Sequence, residues 1–111
     1  MKIPSTVYIA REKITEYLFK QRDEDDKFKF LVIAGFTLDT LNELEKKLRS
    51  QVEKFEAELF DTTDYGDKFQ IRGELQGING ISLKVMTIWM YETSTEKWKF
   101  ITLIPDKKER T

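Results

Sequence analysis

The sequence predicts an α+β fold in which two to three N-terminal helices pack on one face of a three- to four-stranded antiparallel β-meander. Apolar residues in the first half of the chain recur at helical spacing, and from about residue 57 they alternate with polar residues. Asn79-Gly80 between two alternating segments is a strong hairpin signal. We therefore expect one domain over residues 1–111, with residues 1–56 helical, 57–105 in the sheet and 106–111 a frayed tail.

Three segments of the first half have helical character. Ala10 to Lys20 predicts a first helix, because Ile14, Tyr17 and Leu18 share one of its faces. After a charged break at 21–26, residues 27–34 form a short apolar helix or a short buried strand, and Gly35 suits a helix C-cap. Thr37 is the expected N-cap of the longest helix, 38–55. The apolar stripe of that helix is Leu41, Leu44, Leu48, Val52 and Phe55.

The second half predicts up to four strands separated by turns. The expected strands run from Ala57 to Thr62, Lys68 to Leu75, Ile81 to Tyr91 and Lys97 to Ile104. The expected turns are Asp64–Asp67, Gly77–Gly80 and Thr93–Glu96, and Pro105 ends the last strand.

The turns also predict which side chains share a sheet face. A two-residue Asn79-Gly80 turn places Arg72 opposite Thr87, and a four-residue loop that pairs Glu92 with Lys97 places Thr87 opposite Thr102. One face is then almost entirely apolar and is assigned to the helices: Phe69, Ile71, Leu75, Met86, Ile88, Met90, Ile101 and Leu103. The other face mixes cations, hydroxyls and aromatics: Lys68, Gln70, Arg72, Thr87, Trp89, Tyr91, Trp98, Phe100 and Thr102.

The mixed face predicts a candidate anion site. Lysine and arginine bind phosphate, threonine hydroxyls orient it, and tryptophans stack on bases. The candidate catalytic residues are Lys68, Arg72, Thr87 and Thr102, and the candidate binding residues are Gln70, Trp89, Tyr91 and Trp98. The same pattern also suits a half-buried surface, or an interface with a partner protein or a second copy.

Composition removes several classes of chemistry. The chain has no cysteine and no histidine, so disulfides, thiolate or histidine metal sites and histidine-based nucleophile pairs are excluded. The acidic run Asp23 to Asp26 lacks the spacing of a calcium loop, and we expect no metal and no cofactor. The net charge of −1 gives no overall basic surplus. No apolar run has membrane-spanning or signal-peptide length, so we expect a cytoplasmic protein with no membrane partner.

The chain resembles a family of small, stand-alone bacterial domains of unknown function, and the resemblance covers nearly the whole chain. The segments that carry it are Lys2-Ile3-Pro4, Gly35-Phe36-Thr37, Tyr65 to Phe69, Gly73-Glu74-Leu75, Asn79-Gly80, Val85 to Trp89 and Ile101 to Pro105. Members of this family look like toxins that are encoded beside a small partner. Their layout is similar to that of ribonuclease toxins of the barnase, EndoU and RelE type.

The resemblance implies a toxin-like protein that acts on RNA without a metal and pairs with a small antitoxin-like protein. In that comparison Lys68, Arg72, Thr87 and Thr102 occupy the functional positions. Ile104 departs from the family pattern, which carries tyrosine before the proline of the last strand. The alternative is a non-catalytic interaction module or homodimer that uses the aromatic sheet face.

Overall fold

The fold combines a small helical part with a four-stranded antiparallel sheet, as the α+β class predicts. A computed structural model describes residues 1–14 and 31–106 of the chain. The rest of the predicted first helix, the charged break, the start of the second apolar segment and the end of the tail lie outside the described residues. Within the described ranges, no helix is long and apolar enough to cross a membrane.

The helical turn before Gly35 ends in a glycine C-cap. A first helix, α1, is described over Arg11–Lys13, and residues 31–33 form a further helical turn. The Gly35 N–H donates to the Val32 carbonyl at 2.9 Å and the Phe36 N–H to the Leu31 carbonyl at 3.1 Å, which is a Schellman motif. Gly35 has φ +89°, so the predicted glycine C-cap is confirmed and residues 31–33 are not a strand.

The longest helix begins with a 3₁₀ turn at Leu38–Thr40 and continues as α2, Leu41–Lys54. Thr37 precedes it as expected, and its N–H donates to the Thr40 hydroxyl at 2.8 Å. The predicted apolar stripe is confirmed, because Leu44, Leu48 and Val52 are buried and Leu41 and Phe55 pack against the same core.

The sheet is a simple meander in the order β1-β2-β3-β4. The strands are β1 (Glu58–Thr63), β2 (Gly66–Gln76), β3 (Ser82–Glu92) and β4 (Lys97–Pro105). All four predicted strands are therefore present within three residues of their expected ends, although Pro105 pairs with Val85 and belongs to β4.

The β2–β3 register differs from the prediction by one residue. Gln76 pairs with Ser82, so the connection is the five-residue loop 77–81 and not a two-residue turn. The Ile81 N–H donates to Asn79 Oδ1 at 3.2 Å, and the Ile78 N–H donates to the Ala34 carbonyl at 2.9 Å. The loop is thus shaped by an Asx turn and by its contact with the helical part. Arg72 consequently pairs with Met86, and the predicted Arg72–Thr87 pairing is wrong.

The β3–β4 register is as predicted only near its turn. Glu92 pairs with Lys97 and Tyr91 with Trp98, which confirms the four-residue loop 93–96. A bulge then shifts the register, because Trp89 pairs with Phe100 whereas Ile88 pairs with Thr102. Thr87 therefore pairs with Leu103, and the predicted Thr87–Thr102 pairing is also wrong.

These registers sort the sheet into two faces that differ from the predicted ones. We call the face that joins the hydrophobic core the core face: Phe69, Ile71, Leu75, Leu83, Val85, Thr87, Trp89, Tyr91, Trp98, Phe100 and Leu103. We call the opposite one the outer face: Lys68, Gln70, Arg72, Met86, Ile88, Met90, Lys99, Thr102 and Ile104. Met86, Ile88 and Met90, which the predicted register places against the helices, lie instead on the outer face, because a slip of one residue reverses a strand. Ile88 and Met90 are nevertheless buried on that face.

Candidate functional site

The four candidate catalytic residues do not converge. Lys68, Arg72 and Thr102 lie on the outer face, whereas Thr87 lies on the core face and is 0% exposed. The predicted arrangement of all four around one anion is therefore wrong. The roles of Lys68, Arg72 and Thr102 stay predictions.

Thr87 has a structural partner in the core. The Trp89 indole N–H donates to the Thr87 hydroxyl at 2.8 Å, and both side chains are fully buried. A buried indole N–H needs an acceptor, and Thr87 supplies it. Trp89 is consequently not available to stack on a base.

The other predicted aromatic residues join the same side of the sheet. Trp98 lies 4.9 Å from Phe69 and 5.3 Å from Tyr91 between ring centroids, and all three rings contribute to the core or pack against it. Gln70, the remaining binding candidate, lies on the outer face opposite Ile88. The expected aromatic binding face is therefore largely used for packing.

Carboxylates accompany the cations of the outer face. Arg72 Nε lies 4.0 Å from Asp106 Oδ2, and Lys68 pairs across the strands with Asp61. Lys99 Nζ lies 2.7 Å from Glu92 Oε2. Each of these cations therefore has an acidic neighbour, so the outer face has little of the unbalanced positive charge that binds a polyanion.

A cleft of about 760 Å³ lies between the N-terminal segment and the β3–β4 hairpin. Its lining includes Tyr8, Trp98 and the ion pair between Glu92 and Lys99. Hydrogen bonds from Lys99 and from Thr95 lower the pKa of Glu92. Glu92 is therefore ionised at neutral pH, and a carboxylate of lowered pKa is a weak general base.

Four branched aliphatic side chains form an exposed surface at the end of the sheet, which we call the hairpin-end patch: Val32, Ile33, Ile78 and Ile81. Their exposure is between 41% and 57%. Asn79 Nδ2 donates to the Ile33 carbonyl at 2.9 Å, which holds the two segments together. Sequence reasoning missed this patch, although the two isoleucines beside Asn79-Gly80 in a loop were a signal for it.

A second exposed apolar pair lies on β1. Leu59 is 56% and Phe60 is 47% exposed, and residues 58–62 are all exposed. Acidic residues surround the pair in sequence, at Glu58 and Asp61. Sequence reasoning predicted this strand but not its exposed apolar side chains.

Metal-binding geometry is absent from the described ranges 1–14 and 31–106, in which no group of three or more acidic side chains gathers as metal ligands.

Comparison with known proteins gave no match to a curated protein and no match to a solved structure. The model of one family matches residues 2–107, and that family is described as a domain of unknown function. Because the match covers almost the whole chain, the protein belongs to the family of the domain of unknown function DUF6883.

Proposed function

We propose that the domain is a non-catalytic interaction module that self-associates through the hairpin-end patch. The observation that carries this proposal is the patch itself, in which four large aliphatic side chains stand exposed on two linked segments. Exposed apolar side chains on neighbouring segments are typical of interaction sites in soluble proteins. The hydrogen bond from Asn79 to the Ile33 carbonyl orders the patch before any partner binds.

The chemistry of the described residues favours binding over catalysis. Thr87 is fully buried in the core, so its hydroxyl cannot contact a substrate, and Arg72 lies beside the carboxylate of Asp106. Glu92 is held ionised by Lys99 and Thr95. With no histidine in the chain, a general base near neutral pH would have to come from another side chain whose pKa is raised.

A second copy of the chain is the occupant that suits the patch. Its four side chains and the Asn79-Gly80 pair between the two isoleucines carry no charge. In a two-fold symmetric contact each surface meets itself, and an uncharged apolar surface does so without opposing like charges. The sequence offers a homodimer through the aromatic sheet face as an alternative, and we propose the contact at the hairpin-end patch instead.

The test is sedimentation equilibrium of the wild-type protein and of the double variant Ile78→Ser/Ile81→Ser over increasing concentration. Full burial of an aliphatic side chain contributes about 1.5–3 kcal/mol, so we expect the double variant to weaken the dimer by about tenfold or more. Leu59→Ser is the matched control, because it removes an exposed apolar side chain from β1. A wild-type monomer at every concentration, or a double variant that dimerises like the wild type, contradicts the proposal.

Action on RNA as a toxin-like, metal-independent ribonuclease in the cytoplasm, paired with a small antitoxin-like protein, is the second candidate. It is supported by Lys68, Arg72 and Thr102 on one sheet face, with Gln70 between the two cations along β2. Purified protein is incubated with RNA and a chelator, alongside Arg72→Ala. Cleavage by the wild type that Arg72→Ala abolishes supports this candidate, and intact RNA in both samples rejects it.

We also propose that two to three helices pack over the core face of the sheet. It is supported by two contacts of the α2 region with β2. Gln51 Nε2 donates to the Glu74 carbonyl at 3.0 Å, and the Phe55 ring lies against Gly73. This arrangement leaves the hairpin-end patch and β1 at the margins of the sheet.

A further inference from the structure

We infer that the β1 edge of the sheet is a docking site for an extended, basic segment of a partner protein, which pairs with β1 as a fifth strand. This surface is separate from the hairpin-end patch, and the inference does not depend on self-association. It rests on the edge of β1, which has no paired strand among residues 1–14 and 31–106, on the two apolar side chains exposed there, and on its charge.

β1 is the first strand of the sheet and pairs on one side with β2. In the part of the chain that the structure describes, its other side has no paired strand, and residues 58–62 are all exposed. A strand edge presents backbone N–H and C=O groups that can pair with an added strand. Leu59 and Phe60 supply apolar surface beside those groups.

The opposite edge of the sheet, formed by β4, already pairs in part with the backbone of the N-terminal segment. Tyr8 lies beside β4, where its N–H donates to the Trp98 carbonyl at 3.1 Å and its carbonyl accepts from the Phe100 N–H at 2.8 Å. Met1 likewise accepts a hydrogen bond from the Ala57 N–H at 2.7 Å, just before β1 begins. The N-terminal segment thus covers part of β4 and the approach to β1, and it leaves Glu58–Thr63 open.

The charge of the edge selects the partner. Residues 56–64 contain four carboxylates and no lysine or arginine: Glu56, Glu58, Asp61 and Asp64. The Met1 ammonium group lies 2.6 Å from Glu56 Oε2, and Asp61 pairs across the strands with Lys68, so the negative charge of the edge comes mainly from Glu58 and Asp64. Antiparallel pairing of β1 with a second copy would bring these acidic strands together, and like charges on facing strands are destabilising. A segment that carries lysine or arginine gains opposite-charge pairs in the same position.

The bulge in β1 fits a short partner segment. The register shifts between Leu59 and Asp61, so Phe60 is the extra residue and the strand bends there. A bulge and a row of charges both discourage long, unselective edge pairing. They leave a short site whose selectivity comes from charge, with Leu59 and Phe60 as the apolar contacts.

The test uses three labelled peptides of equal length in a fluorescence anisotropy titration at low salt. One alternates valine and lysine, one alternates valine and glutamate, and one alternates proline and lysine. We expect the valine–lysine peptide to bind at least about tenfold more tightly than the other two, because only it combines basic charge with a backbone that can pair. Equal binding of the proline–lysine peptide, or no binding of the valine–lysine peptide, overturns the inference.

The double variant Glu58→Lys/Thr62→Lys locates the site, because both side chains are exposed on β1. It is expected to lose its preference for the valine–lysine peptide, because it removes one carboxylate and adds two lysines to the strand. The variant Ile78→Ser/Ile81→Ser should bind the valine–lysine peptide like the wild type, which separates this test from that of self-association. Unchanged peptide preference in Glu58→Lys/Thr62→Lys overturns the assignment to β1.

Discussion

At Thr87 a hydroxyl group is buried completely, on a strand between apolar neighbours. Its position is explained by Trp89, whose indole N–H donates to Thr87 Oγ1 at 2.8 Å. Large aromatic side chains contribute much to a core, but tryptophan brings a polar N–H that must be satisfied there. The residue that sequence patterns suggested for phosphate binding therefore makes the burial of a tryptophan possible.

We predict that Thr87→Val destabilises the fold by about 1–3 kcal/mol, because a buried indole N–H is left without its acceptor. The measurement is urea denaturation at neutral pH. Thr62→Val is the control, since Thr62 is exposed on β1 and its change should stay within about 0.5 kcal/mol. Equal stability of Thr87→Val and the wild type would show that the hydrogen bond contributes little.

Among the elements, α2 and β2 approach closely at a glycine. A methyl group built on Gly73 would lie 2.5 Å from Phe55 Cε2, a distance that a real Cβ does not tolerate. Phe55 follows directly after α2, so glycine at position 73 lets the C-terminal end of the helix pack closely against β2. The contact thus links the end of the longest helix to the sheet.

We predict that Gly73→Ala destabilises the fold by about 1–3 kcal/mol, since the ring or the strand must shift to make room. The same substitution in a Phe55→Ala background should cost clearly less, because the ring is then absent. Thermal or urea unfolding of the four proteins of this cycle checks the prediction. An equal cost in both backgrounds would mean that the contact with Phe55 is not the cause.

For the whole molecule, one hydrophobic cluster joins the N-terminal segment, the helical part and the core face of the sheet. Leu44, Leu48 and Val52 of α2 belong to it together with Trp89 of β3. Apart from Met1, Tyr8 and Tyr65, the large apolar side chains that are exposed among the described residues lie on β1 and in the hairpin-end patch. This division predicts which apolar residues serve stability and which are free to serve binding.

We predict that Leu48→Ala lowers the free energy of unfolding by about 2–5 kcal/mol, the cost of a cavity in a packed core. Leu59→Ala on β1 should change it by less than about 0.5 kcal/mol. Guanidinium denaturation of both variants gives the comparison. A large loss for Leu59→Ala would place this side chain in the core and remove the apolar contact that we assign to the β1 edge.

Much of the fold was predictable because its signals are local. The apolar stripe of α2, the glycine C-cap at Gly35 and the alternation in the strands each depend on residues close in sequence. The candidate site was much less predictable, because it depended on register. The five-residue loop at 77–81 placed Thr87 and Trp89 on the core face and Met86 on the outer face, and the bulge near Ile88 separated Thr102 from Thr87.

The amino-acid sequence by itself determined the order of helices and strands, the helix caps and the lack of histidine and cysteine chemistry, because periodicity, capping and composition act over a few residues. Only the tertiary structure decided which sheet face joins the hydrophobic core. Asn79 bonds to its own loop and to the Ile33 carbonyl, a contact 46 residues away in sequence, and the hairpin therefore takes a longer loop than Asn-Gly alone indicates. Since side chains in a strand alternate between faces, the shift of one residue in the β2–β3 register decided which side chains can contact a partner.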